Sequence, residues 1–139
     1  MSRALGAIAA VTLAVTLAAA ATAAAGRGDV RASTRIAVDA MTDNSVDAIL
    51  IGSIDSRRPK CLDNRRVRVT VVPQSGPNLA FDVARTGGGG GWFAIGPLDE
   101  VEAIGPIDAI ELAVAKRKLP LAGDRELICA GVRKRVGLS

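Results

Sequence analysis

The sequence predicts an all-β fold, a single antiparallel β-sandwich of about seven strands preceded by a helical N-terminal signal. Three observations carry this expectation. Short segments of Val, Ile and Leu alternate with polar residues at a period of two, and clusters of Gly, Pro, Asn and Asp separate them. Beyond residue 25 no segment sustains a helical period.

The 139 residues suffice for one domain. Residues 1–25 read as an export signal: Arg3 supplies the positive start, an uncharged alanine-rich run follows, and small residues set cleavage after Ala23 or Ala25. The same run is just long enough to cross a bilayer as a retained anchor, but its alanine content makes it only weakly hydrophobic. Residues 26–33 then form a flexible polar leader and residues 34–139 the sandwich domain. The Arg27-Gly28-Asp29 tripeptide in the leader is read as a chance match to integrin ligands.

Residues 34–39 alternate, with Ile36 and Val38 on one face, as a first strand. Residues 41–47 are rich in turn formers. The almost wholly apolar residues 48–54 suit a central strand buried on both faces, and residues 56–64 form a loop punctuated by Pro59 and Asn64. The clearest strand covers residues 65–72, where Val67, Val69 and Val71 face inward and Arg66, Arg68 and Thr70 outward. After a turn at residues 73–78, residues 79–85 place Leu79, Phe81 and Val83 inside and Asp82 outside.

Five glycines, residues 87–91, feed a short strand and not a helix. They read as a loose hairpin loop and not as a phosphate cradle. Residues 99–108 form an acidic loop between two Gly-Pro turns; Asp99, Glu100, Glu102 and Asp108 offer oxygen ligands for calcium but lack EF-hand spacing. Residues 108–115 alternate with Ile110, Leu112 and Val114 inside. Lys116, Arg117, Lys118 and Pro120 end that strand, and residues 126–132 form the last one, followed by the basic residues 133–135.

The chain has no histidine, which excludes Ser-His-Asp and Cys-His catalysis and imidazole-held metals. Its two cysteines, Cys61 and Cys129, cannot make an all-thiolate zinc site. In an exported chain they are expected to form one bridge, closing a loop of about 69 residues and stabilising the fold by roughly 4 kcal/mol.

The order Gly52, Ser56, Cys61, Arg66-Val67, Thr86, Gly91, Phe93, Cys129 resembles the transthyretin-like (prealbumin-like) β-sandwich domains of exported bacterial proteins and the regulatory domain of carboxypeptidases. The resemblance covers roughly residues 48–132. It implies a seven- or eight-stranded, Ig-like sandwich whose paired cysteines fasten the loop after one strand to the last strand, and a non-catalytic accessory or adhesive role. It also implies that Phe93 faces the core and Trp92 turns outward as a ligand contact. The longer glycine run and the inserted acidic loop depart from the pattern and leave any shared ligand open.

The expected function is therefore a secreted, non-catalytic module at the cell surface or outside the cell, without cofactor and clear of the membrane once the signal is removed. Its partner would be another protein or a cell-envelope polymer. The alternative is electrostatic binding of an anionic polymer, for which the basic clusters Arg57, Arg58, Lys60, Arg66, Arg68, Lys116, Arg117 and Lys118 are the candidates, with Arg65 and residues 133–135 beside them. Few aromatics are present to stack on bases, so nucleic acid is not the expected polymer.

Overall fold

A computed structural model describes residues 28–138. The expected signal, residues 1–25, and its cleavage sites lie outside the described residues. The chain is all-β, with ten strands where about seven are expected: β1 (Val30–Ala32), β2 (Arg35–Asp43), β3 (Asp47–Asp55), β4 (Arg66–Pro73), β5 (Leu79–Arg85), β6 (Gly91–Pro97), β7 (Ile107–Val114), β8 (Arg117–Pro120), β9 (Glu126–Cys129) and β10 (Val132–Gly137). A single 3-10 turn (Pro59–Cys61) and one short helix, α1 (Leu98–Ala103), complete the described elements.

Two antiparallel sheets make the sandwich. One has the order β10-β7-β4-β5 and the other β2-β3-β6. Their inner faces supply one core: Ile36, Leu50, Ile54, Trp92 and Ala94 from the three-stranded sheet meet Val67, Val69, Ala84, Ile110, Leu112 and Val114 from the four-stranded one. The alternation of Val67, Val69 and Val71 survives intact because β4 is central, paired with β5 on one side and β7 on the other. A third, small sheet of order β1-β9-β8 flanks the sandwich, with β1 parallel to β9.

The Cys61–Cys129 disulfide is present, with a Cα–Cα distance of 5.5 Å. It ties the 3-10 turn to β9, and Ala32 and Leu127 pack around it in a second apolar cluster.

Several expectations are corrected. The leader is not free: β1 pairs with β9, Arg125 Nε donates to the Gly28 carbonyl at 2.7 Å and Glu126 N donates to Asp29 Oδ1 at 3.0 Å. The turn assigned to residues 41–47 begins only at Asn44, because β2 runs to Asp43 and takes up a one-residue bulge between Val38 and Ala40. The third strand is buried on one face, not both, since it belongs to a sheet covered on one side only; Ile51 is exposed. Residues 117–120 and 132–137 are strands and not terminators.

A bulge between Val69 and Thr70 leaves Phe81 without a cross-strand partner and shifts the phase of β5. Val83 therefore points out, 50% exposed, and Ala84 points in. The five glycines carry the chain from one sheet to the other, since β5 and β6 belong to different sheets. The crossing is tight: Ile54 N donates to Gly90 O at 2.8 Å, and Gly90, at φ +86°, leaves no room for a Cβ against the Ile54 carbonyl. Asp82, expected outside, bridges the gap between the sheets by accepting from Ile95 N at 2.9 Å, which caps an exposed donor of the β6 edge.

Phe93 and Trp92 are exchanged relative to the expectation drawn from the transthyretin-like resemblance. Trp92 is 3% exposed and Phe93 is 65% exposed. Gly52 is the register partner of Trp92, and a Cβ there would collide with the indole; that glycine makes the space in which the ring lies. Once Trp92 faces inward, period two places Ala94 and Gly96 inward beside it and turns Gly91, Phe93 and Ile95 to solvent.

Candidate anion-binding face

The outward positions of the four-stranded sheet are the alternates of its valine and leucine positions. On β4 these are Arg66, Arg68 and Thr70, on β7 Glu111 and Ala113, and on β10 Arg133 and Arg135. Register aligns them in rows: Arg133, Ala113, Arg68 and Val83 form one, and Arg135, Glu111 and Thr70 the next. At the end of the sheet Arg66 pairs directly with Arg85.

Ala113 is the small residue in its row, so a groove of about 500 Å³ opens between Arg68 on one side and Arg133 on the other. The two arginines stand two strand spacings apart, roughly 10 Å. Arg135 is neutralised by Asp108 at 2.7 Å and Glu111 at 3.0 Å. Among the described residues these are the only ion pairs, so Arg66, Arg68, Arg85 and Arg133 face solvent without a carboxylate partner. Arg85 donates from Nη1 to Asn64 Oδ1 at 3.0 Å, a neutral acceptor.

Like charges placed directly opposite in a sheet destabilise the pair. The Arg66–Arg85 row therefore raises the energy of the free protein, and an anion laid across it would lower that energy. Guanidinium groups present planar forks suited to carboxylate, sulfate or phosphate.

The other sequence candidates do not join this face. Arg57 and Arg58 gather with Arg31, Arg35 and Asp55 around a separate cleft of about 660 Å³. Lys60 lies near Arg117 and Asp63 in a third place. Arg117 is occupied structurally, donating to the carbonyls of Asp63 at 2.9 Å and Asn64 at 3.1 Å. Lys116 and Lys118 are exposed at the start of the small sheet.

Arg65 is 1% exposed and is turned into the protein, not onto this face. Its guanidinium donates to the carbonyls of Cys61, Ala115 and Ala130, and burial followed by the neighbouring charge of Arg117 lowers its pKa. Trp92, expected as a ligand contact, is sealed in the core. Arg85 is the face residue that sequence reasoning missed, because the bulge at Phe81 hides the phase of β5.

In place of an acidic loop, residues 98–103 form α1, and among the described residues no three of Cys, Asp and Glu gather as a metal group. Among the described residues no helix is long and apolar enough to cross a membrane. Compared with protein-family models, with curated proteins and with solved structures, the chain matches none.

Proposed function

We propose that this chain is an exported, non-catalytic β-sandwich module, accessory or adhesive at a cell surface, whose four-stranded sheet lies against an anionic polymer of the envelope. The observation that supports this reading is the set of unneutralised arginines, Arg66, Arg68, Arg85 and Arg133, on one exposed sheet face around the Ala113 groove. The disulfide supports folding in an oxidising compartment, as expected of a secreted chain. Its attachment of a loop to a late strand is in keeping with kinship to transthyretin-like domains of exported bacterial proteins.

An acidic glycan suits the face better than nucleic acid. Its outward positions carry arginine, threonine, alanine, valine and one glutamate, Glu111, which Arg135 pairs, but no aromatic ring on which a base would stack. Charge alone would then supply the affinity, and binding would fall with salt.

Retention on immobilised heparin tests this. The expected result is elution above physiological ionic strength, with Arg68→Thr/Arg133→Thr weakening affinity about tenfold or more and Lys118→Thr leaving it unchanged. Elution at low salt, or equal retention of the double variant, overturns it.

A further inference from the structure

The outer face of the β2-β3-β6 sheet carries no charged side chain on β3 or β6 across its middle; the one carboxylate there is Asp39, exposed at the β2 bulge on the edge of the sheet. Two rows cross it: Ala40, Ile51 and Phe93 in one, Thr42, Ile49 and Ile95 in the next. Phe93, Ile51 and Ile95 are all exposed. A solvated face of an antiparallel sheet ordinarily carries polar residues at these alternates, as the arginine sheet of this same molecule does. A contiguous apolar face calls for a cover.

The two ends of that face carry opposite charge. At one end Arg35 faces Asp55 across the strands, and Arg31, Arg57 and Arg58 border the same cleft. At the other end lies Asp47, joined by Asp99, Glu100 and Glu102 of α1, which a hydrogen bond from Leu98 N to Val46 O of 3.0 Å holds beside the β2–β3 turn. No ion pair occupies any of these groups among the described residues. Along the strand direction the face thus reads basic, apolar, acidic.

We propose that a second copy of this chain covers this face, in an isologous dimer whose two-fold axis lies in the interface and runs across the strands. Any in-plane axis brings such faces together, and the two limiting directions differ in the charges that they oppose. An axis along the strands would set acid on acid and base on base. An axis across them reverses the strands, lays the apolar rows on each other and sets each basic end over the other copy's acidic end. A self-complementary patch of this kind is what a closed dimer requires.

The charge pattern disfavours a lipid surface, since the carboxylates at one end would be driven off by anionic headgroups. Three strands about 4.8 Å apart and seven residues long give a footprint on the order of 300 Å², below that of a permanent interface, so the dimer is reversible and salt-sensitive. It leaves both arginine faces outward on opposite sides, which would make the dimer bivalent toward a polymer. The dimer itself does not depend on that face binding anything.

Sedimentation equilibrium of the full chain tests the proposal, over concentrations on the order of 1 to 100 µM at low and high salt. The expected result is a concentration-dependent dimer that salt weakens. Phe93→Asp should be monomeric throughout, with its circular dichroism and thermal midpoint unchanged because the ring is exposed; if that variant does not fold, Ile51→Lys takes its place. Arg57→Glu/Arg58→Glu should weaken the dimer about tenfold or more, as should Glu100→Lys/Glu102→Lys, and the four changes together should restore it. A wild-type monomer at the highest concentration in low salt overturns the proposal. So does a dimer that survives Phe93→Asp, or four combined changes that fail to rescue. Co-sedimentation with phosphatidylcholine/phosphatidylglycerol vesicles that Phe93→Asp abolishes would overturn it in favour of a lipid surface.

Discussion

The guanidinium of Arg65 donates from Nη1 to the carbonyl oxygen of Cys61 at 2.9 Å, so the one buried charged residue among those described braces the same turn that the disulfide clasps. Its Nη2 donates to Ala115 and Ala130 at 3.0 Å each, and Nη1 also reaches Thr34 Oγ1 at 3.4 Å. Cation and disulfide thus both join the loop before β4 to the end of β9, and the cation adds the ends of β7 and β1. The charge has carbonyl dipoles around it and no carboxylate, which is why burial lowers its pKa.

Replacing that side chain should cost heavily. Arg65→Met takes a donor from three buried carbonyl groups, of which only Ala130 keeps another, Thr34 Oγ1, a loss expected at about 3 kcal/mol or more. By the usual scaling the melting temperature should fall by roughly 15 °C. Arg65→Lys should recover only part of this, because an ammonium cannot fork to acceptors on separate segments. Thermal unfolding with the disulfide intact measures both; a fall under about 5 °C for the methionine variant would mean that water replaces the guanidinium.

Removing the bridge should loosen one part of the molecule first. The small sheet has little buried apolar support of its own: Ala32 and Leu127 beside the two sulfurs, and Ile128 on the other face of β9. Cys61→Ser/Cys129→Ser is expected to lose about 2–5 kcal/mol. Hydrogen exchange should show β1, β8 and β9 unprotected while β4 and β7, in the main core, still hold. Uniform loss of protection would show that the small sheet and the sandwich open together.

The single tryptophan reports its own orientation. A buried Trp92 should emit at short wavelength and resist iodide quenching. Gly52→Val should shift that emission and cost several kcal/mol, since even a Cβ at Gly52 would collide with the indole and with the Ala37 carbonyl. Trp92 Nε1 has no hydrogen-bond partner among the described atoms. Trp92→Phe should therefore cost less than its lost volume suggests, well below the roughly 3–5 kcal/mol of Trp92→Ala. Strong quenching of wild-type emission would restore the outward ring.

These residues also show what a sequence can and cannot disclose here. Val67, Val69 and Val71 were readable because a central strand without irregularity keeps its period, and the cysteine pair because only one pairing exists. Val83 was misplaced by a bulge, which changes phase without changing composition. Trp92 and Phe93 are adjacent aromatics of equal claim on the core; Gly52, forty residues earlier, decides between them, and its pairing with Trp92 is a matter of register. The arginine face was half visible through Arg66 and Arg68. Arg133 joins Arg68 only because β10 and β4 flank β7, a sheet order that local pattern does not encode.

The Arg66–Arg85 row should trade stability against binding. The two cations are direct partners across β4 and β5, and only Arg85 has a polar neighbour, Asn64. Arg66→Thr removes the like-charge contact and places a good strand former on an exposed position, so the free protein should gain about 0.2–1 kcal/mol. If the row serves a polyanion, the same change should lower retention on heparin and reduce the salt dependence of binding by about one charge. Chemical denaturation and heparin affinity, measured on the same preparation, separate the possibilities. A gain in stability with unchanged retention would make the row a tolerated surface accident. A loss of stability would show that the pair is held by packing of the arginine stems across the sheet, and the electrostatic reading of this end of the face would fall.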